Sequence, residues 1–327
     1  MTSPVSSRAA LLLVPVAAVL LAAPFLADRY VVSVLILVFM GCYFGQAWNI
    51  LMGYCGLLSL GHALYIGLGG YVSAYLFVHH GVGPLMGLVP AVLAALAAAT
   101  ALGWLSFRFR IEGVYFALLT IAFAEIARIG FDNWPAMGGA AGLFLPVRAE
   151  QSGQWWNLRA GPTFFYFLAL ALAVAATIAS FLLRRSRLGH AWLALREDAE
   201  AARAVGVSPF RARLAALLVS AGLTALGGVF LAFWSNNLFP AQVFDISRST
   251  DIMLAPIIGG VGTLFGPILG AFLLVPLGEV LTAVLRALGI DAPGVKALVF
   301  GLMLMGMIAV LPNGLWPLVA RLLGKRA

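Results

Sequence analysis

From Arg8 onward the chain alternates long apolar runs with short polar breaks. Each run approaches the ~20 residues that a helix needs to cross a ~30 Å hydrocarbon core at ~1.5 Å per residue. The runs read approximately as Arg8 to Ala27, Tyr30 to Ile50, Leu57 to Val78, Pro84 to Phe107, Val114 to Phe131, Thr163 to Leu183, Leu214 to Ser235, a broken segment Ile252 to Phe265, Pro267 to Leu288, and Lys296 to Trp316. They predict ten membrane spans. The alternation of a β-barrel is absent, so helices are expected to satisfy the backbone inside lipid. The fold class expected is all-α integral membrane, one transmembrane domain over residues 1–327. The first run is read as a retained span, although Phe25-Leu-Ala27 offers a small residue for signal cleavage.

One stretch breaks the apolar pattern for longest. Residues 184–213 hold Arg196, Glu197, Asp198, Glu200 and Arg203 close together, and each costs roughly 2.5–3.5 kcal/mol at a bilayer centre. Water must surround this segment. Alanine and leucine dominate Ala191 to Ala204, which predicts a short soluble helix stopped by Gly206 and Pro209. Arg196 to Glu200 and Glu200 to Arg203 have the spacing of a charge ladder on one face, and Leu195, Ala199, Ala202 and Val205 or Gly206 form a stripe of mostly small residues. A helix of about 14 residues is marginal alone. It is therefore expected to dock, either on the rest of this chain or on another protein.

Two glycine-rich segments interrupt the spans. Gly53 to Tyr71 contains Ser59, Gly61 and His62, and Pro256 to Gly270 contains Gly259, Gly260, Gly262, Thr263, Gly266 and Pro267. They fall at the third and eighth spans. An odd offset of five gives those spans opposite directions, so the chain reads as two inverted five-span halves. Gly262, Gly266 and Gly270 leave a groove for a neighbouring helix, and Gly266-Pro267 suits a break with Pro in a new first turn. Freed backbone groups in a membrane must be buried in protein or face a wet cavity, so these residues are candidates for a translocation path as well as for plain packing.

With 63% hydrophobic and 10% charged residues, the composition excludes an ordinary soluble domain. The formal charge of +8 has a topological reading. An amino terminus inside places Arg8, Arg108, Arg110, Arg184, Arg185, Arg187, Arg196, Arg203, Arg211, Arg213, Arg321, Lys325 and Arg326 on the cytoplasmic side; Arg29, Arg128, Arg148, Arg159, Arg248, Arg286 and Lys296 fall outside or near outer ends. Both termini then lie in the cytoplasm, residues 132–162 form a periplasmic loop with Trp134, Trp155 and Trp156 at interface positions, and nucleic-acid binding has no support. Asn236 to Thr250 is a second outer segment, read either as a partner-facing surface or as a solvated connector. Cys42 and Cys55 show neither a disulfide framework nor a metal spacing. Glu125 and Arg128 are three apart and fit an intramembrane ion pair, while Glu279 and Arg286 can snorkel outward. Ser59 beside His62 lacks an orienting carboxylate, so catalysis is not expected.

Four blocks in order carry a resemblance. Gly53-Tyr-Cys-Gly-Leu-Leu-Ser-Leu-Gly-His-Ala, Gly113-Val-Tyr-Phe-Ala-Leu-Leu-Thr-Ile-Ala-Phe-Ala-Glu-Ile, Arg196-Glu-Asp-Ala-Glu-Ala-Ala-Arg-Ala-Val-Gly-Val and Gly259-Gly-Val-Gly-Thr-Leu-Phe-Gly-Pro resemble the permeases of bacterial branched-chain amino acid ABC importers, specifically the longer, LivM-type half. Met137-Gly138-Gly139-Ala140-Ala141-Gly142-Leu143 departs from that family's pattern, where a polar residue usually precedes the paired glycines. The resemblance implies a non-enzymatic, pore-forming subunit of the inner membrane, paired with a LivH-type permease. Two cytosolic ATPases would couple through Arg196, Glu197, Asp198, Glu200, Ala201, Ala202 and Gly206, and a periplasmic binding protein would deliver solute. The chain lacks a Gly-x-x-x-x-Gly-Lys-Ser/Thr loop, so no cofactor is expected on it and ATP belongs to the partners. Urea or short amides are alternative solutes for the same machinery. An ion-coupled secondary transporter is the competing class, and it needs midplane carboxylates, for which only Glu125 and Glu279 are available.

Overall fold

The computed structural model describes residues 7–146, 155–289, 293–311 and 314–322. The expected places of Arg148, Lys325 and Arg326, and part of the 132–162 loop, lie outside those residues. The protein is a helical bundle: α1 (Ser7–Leu26), α2 (Arg29–Asn49, continued by a π-helical turn Ile50–Tyr54), α3 (His62–His80), α4 (Pro84–Arg108), α5 (Val114–Asp132), α6 (Pro162–Arg185), α7 (Arg187–Glu197), α8 (Ala199–Ala204), α9 (Pro209–Ser235), α10 (Pro240–Val243), α11 (Ile246–Gly259), α12 (Gly266–Ala287), α13 (Pro293–Val310) and α14 (Leu315–Leu322). Among the described residues, six helices are long and apolar enough to cross a membrane: α2 with its π turn, α4, α5, α6, α9 and α12. This is an all-α, multi-pass membrane protein.

One largely enclosed helix is not among those six. α3 carries Gly67, Gly69 and Gly70, with Tyr65 and Tyr71 buried, and it packs on α4, α5, α9 and α11. Protein rather than lipid surrounds it, so its surface need not match hydrocarbon. Its glycines let neighbours approach closely. A side chain at Gly69 would meet the Ala225 carbonyl carbon at 2.8 Å, and one at Gly228 the Ile66 Cα at 2.9 Å.

Several boundaries differ from those the sequence predicts, each for a physical reason. The third span starts at His62 rather than Leu57, because residues 56–61 run non-helically inside the bundle. The eighth starts at Ile246 rather than Ile252, because the Asp245 carboxylate accepts the Ser247 N–H at 2.8 Å and caps the helix. The segment Asn236 to Thr250 is thus partly α11, not wholly a connector. The tenth is divided into α13 and α14, with Gly314 at φ +79° before the second. At the opposite end from α7 and α8, Leu143–Phe144 (β1) pairs antiparallel with Asn237–Leu238 (β2), Leu143 opposite Leu238, and ties the 132–162 loop to the end of α9. Buried Arg159 supports that cap by donating to Asn236 Oδ1, its guanidinium 5.2 Å from the Phe77 ring centre.

Candidate functional site

The charged segment folds as two helices, not one. Asp198 leaves helical geometry (φ −154°, ψ 113°), and its Oδ1 accepts the N–H groups of Glu200 at 2.8 Å and Ala201 at 3.0 Å. An aspartate that caps the second helix this way ends the first. The Ala201 and Glu200 donors also hold its carboxyl below the usual carboxylate pKa. α8 closes on Gly206 (φ +89°), with Val207 N–H to Ala202 O and Gly206 N–H to Arg203 O both at 3.0 Å, a Schellman end that favours glycine. One rung of the expected charge ladder forms, Glu200 to Arg203 at 2.7 Å. The other does not, because Arg196 turns away from Glu200.

The inner face of this segment docks on its own chain. Leu195 and Ala202 are buried, and Trp192, fully buried, donates its indole N–H to Ala212 O at 2.8 Å. Glu197, Glu200, Ala201, Arg203 and Val205 remain exposed. The segment therefore has one face fastened and one face open.

Arg196 donates through its guanidinium to the carbonyl of Gly53, at the π-helical end of α2, and would meet any side chain placed at Gly262. Asn49 joins the same point: its Oδ1 accepts Gly262 N–H at 2.8 Å and its Nδ2 donates to Thr263 O at 2.9 Å. Gln46, one turn earlier, donates to Leu264 O at 2.7 Å. A Cβ on Gly53 would lie 2.7 Å from Gly262 N, so that contact requires glycine. The predicted residues Arg196 and Gly262 thus meet. Gln46 and Asn49, which sequence reasoning missed, hold them together; two amides three apart inside an apolar span were the signal.

The second break is otherwise packed by its own chain. Thr263 Oγ1 donates to Gly260 O at 2.7 Å and accepts Gly266 N–H at 3.0 Å, and Pro267 sits in the first turn of α12. Gly259, Gly260, Gly266 and Pro267 are buried. The groove along Gly262, Gly266 and Gly270 is filled from this chain, with Ala255 Cα 2.9 Å from a Cβ at Gly270.

The first break lies deeper. Trp48 donates to Ser59 O at 2.9 Å, Leu60 N–H reaches Thr120 Oγ1 at 3.0 Å, and Ala63 N–H reaches Ser249 Oγ at 2.9 Å. Ser59 and His62 are buried, and Gly61 is pressed against the Thr120 carbonyl of α5. His62 does not pair with Ser59. Its Nε2 meets Ser220 Oγ at 2.9 Å, and because that hydroxyl donates to Ala47 O at 2.7 Å, Nε2 is the donor. Two charged groups complete the picture. Arg128 binds Glu125 as its spacing predicted and adds Asp132 at 2.8 Å, while Arg213 pairs with Glu112 across the α7–α8 end.

An enclosed helical bundle, with a water-exposed helix pair fastened to two breaks in its spans, has the construction of a membrane transport subunit. The chain belongs to the family described as branched-chain amino acid transport system / permease component, which matches over residues 30–308. It is 32% identical over 329 residues to the high-affinity branched-chain amino acid transport system permease protein LivM of Escherichia coli (strain K12), covering 94% of this chain and 75% of that protein. It is also 32% identical over 321 residues to the LivM of Salmonella typhimurium (strain LT2), covering 90% and 72%. No solved structure matches the chain.

Proposed function

We propose that this chain is the pore-forming half of an inner-membrane ABC importer for branched-chain amino acids. It pairs with a LivH-type permease, receives solute from a periplasmic binding protein, and is driven by two cytosolic ATPases on the open face of α7 and α8. The observation that carries this reading is the Arg196 contact. A helix pair open to a partner on one side reaches, through one guanidinium, the Gly53 carbonyl and the Gly260–Gly262 turn. Movement of the ATPases then shifts the 53–56 end of α2 and the 260–265 turn together.

The topology belongs to the same proposal. α1, α2, α3, α4, α5, α6, α9, α11, α12 and α13 are the ten spans, with both termini and the α7–α8 end in the cytoplasm. The antiparallel course of α3 and α11 supports two inverted halves: Ala63 meets Ser249 while Gly67 meets Phe244. On its exposed side α5 carries Tyr115, Leu118, Glu125, Ile126 and Ile129. The Glu125–Arg128 pair on that face suits a protein partner or a wet path better than lipid, and we put the second permease there. Ser59, Gly61, His62, Gly259, Gly260, Gly266 and Pro267 then back the path rigidly, and Gly262 and Thr263, partly exposed, border it.

The test is purification of the tagged chain from its native membrane in mild detergent, with identification of the proteins it carries. Recovery of an ATPase and a second permease is expected, with uptake lost on ATP depletion. Recovery of the chain alone, with uptake surviving on an ion gradient, would sink the reading. A partner binding protein that retains urea rather than leucine would change the solute alone.

A further inference from the structure

A cleft of about 490 Å³ opens where α6 ends, lined by Phe181, Arg184 and Arg185, by His190 and Leu193 of α7, by Leu264 and Phe265, and by Trp316 of α14. Its size falls in the range of about 300–1,000 Å³ for small-molecule sites. The lining contains two guanidiniums and an imidazole and no carboxylate. Among the described residues, neither arginine forms an ion pair; Arg184 lies over the Tyr54 ring at 5.9 Å and Arg185 over the Phe181 ring at 4.1 Å. His190 contacts Ser186 O through Nδ1 at 2.8 Å, which leaves Nε2 for another partner. Phe265 and Trp316 pack with ring centres 4.7 Å apart.

The charge calls for an anion, and the surroundings say which kind. From Phe181 an apolar stripe runs back along α6 through Ile178 and Val174, which are 52% and 49% exposed, and Leu182 beside it is 60% exposed. Residues at these spacings share one helix side. A tryptophan beside paired arginines at the end of such a stripe is the arrangement of a membrane–water interface, and basic pockets between helices there bind acidic headgroups. A soluble phosphate would use the arginines but leave the stripe without a role. We propose that this cleft binds the phosphate of an anionic phospholipid, with its acyl chains along Val174, Ile178 and Leu182. Arginine suits this task because its planar fork meets two phosphate oxygens at once. Because His190 and Leu193 belong to α7, the lipid tethers the coupling segment to the leaflet. Only the naming of that leaflet as cytoplasmic rests on the orientation proposed above.

The experiment uses the full chain with whatever partners it retains in mild detergent. Phosphatidylglycerol, cardiolipin and phosphatidylcholine are titrated under native mass spectrometry, and a photoactivatable phosphatidylglycerol is crosslinked and mapped. Wild type is expected to retain the anionic lipids and to crosslink within α6, α7 or at Trp316. R184Q/R185Q is expected to lose roughly thirty-fold in anionic-lipid affinity, from two basic residues at about five- to sixfold each. R108Q/R110Q, a matched pair outside the cleft, should retain wild-type affinity. R184K/R185K, which keeps the charge, should recover part of the loss. Equal retention of phosphatidylcholine, an equal loss in R108Q/R110Q, or crosslinks elsewhere in the wild-type chain would overturn the assignment. So would displacement by millimolar inorganic phosphate, which would make the ligand a free anion, or displacement by added ATPase subunits, which would make the cleft a protein docking face.

Discussion

The two interruptions in the spans are built differently, and the difference separates support from transmission. The first, residues 56–61, is held by Trp48 of α2 and Thr120 of α5, with Ser249 of α11 bonding Ala63 just beyond it, and Ser59 and His62 within or beside it are shut off from the surface. The second, residues 260–265, is held by the amides of Gln46 and Asn49 and lies against the arginine of a segment with an open face. Its residues Gly262 and Thr263 are partly exposed. Non-helical backbone at membrane depth is tolerated where freed groups find partners, as Leu60 N–H does on Thr120 and Gly262 N–H on Asn49. Past Gly56, which packs against Arg196, the first break has partners only within the bundle and is the more fixed of the two. The second lies against Arg196 with Gly262 and Thr263 partly exposed, so on the proposed function it serves as the joint.

The contrast is broken most severely at Gly61. A β-carbon there would fall 2.7 Å from the Thr120 carbonyl carbon, and G61V is expected to destabilise the bundle by about 3 kcal/mol, measured by unfolding in mixed detergent. N49L comes next. It leaves Gly262 N–H and Thr263 O without their partner and is expected to cost about 2 kcal/mol by the same measurement.

R196Q sharpens the contrast because it spares the fold. Loss of one charged hydrogen bond should change unfolding by about 1 kcal/mol, while ATP-driven uptake falls roughly tenfold with the ATPases still bound, the scale of a typical coupling between sites. Normal uptake in R196Q would assign the joint to some other contact. The smallest effect is at Asp198. Its carboxyl is held below its ordinary pKa by the Ala201 and Glu200 N–H groups, so its support for α8 is complete above the unfolded value near 4 and is lost as pH falls through the folded value. The protection of the Glu200 and Ala201 amides, measured relative to the intrinsic exchange rate at each pH, should therefore fall below about pH 4, and in D198A it should be low throughout and insensitive to pH in that window.

The sequence by itself determined the class of this protein. Apolar runs near bilayer length, one charged interruption and two glycine-rich breaks are local patterns, and lipid imposes helices on such runs whatever packs beside them. The end of α8 at Gly206 and the Glu125–Arg128 pair were legible for the same reason, since both depend on residues within a turn or two. Only the tertiary structure decided how the charged segment meets the bundle. The division of that segment at Asp198 is itself local, a side-chain cap that competes with helix propensity and wins where composition favours one helix. Trp192 and Arg196 find Ala212 and Gly53 across distances that no periodicity encodes. The same holds for α3, whose glycines and tyrosines make sense only once four helices surround it: in a membrane, hydropathy reports contact with lipid, and contact between helices is decided by shape and by buried hydrogen bonds.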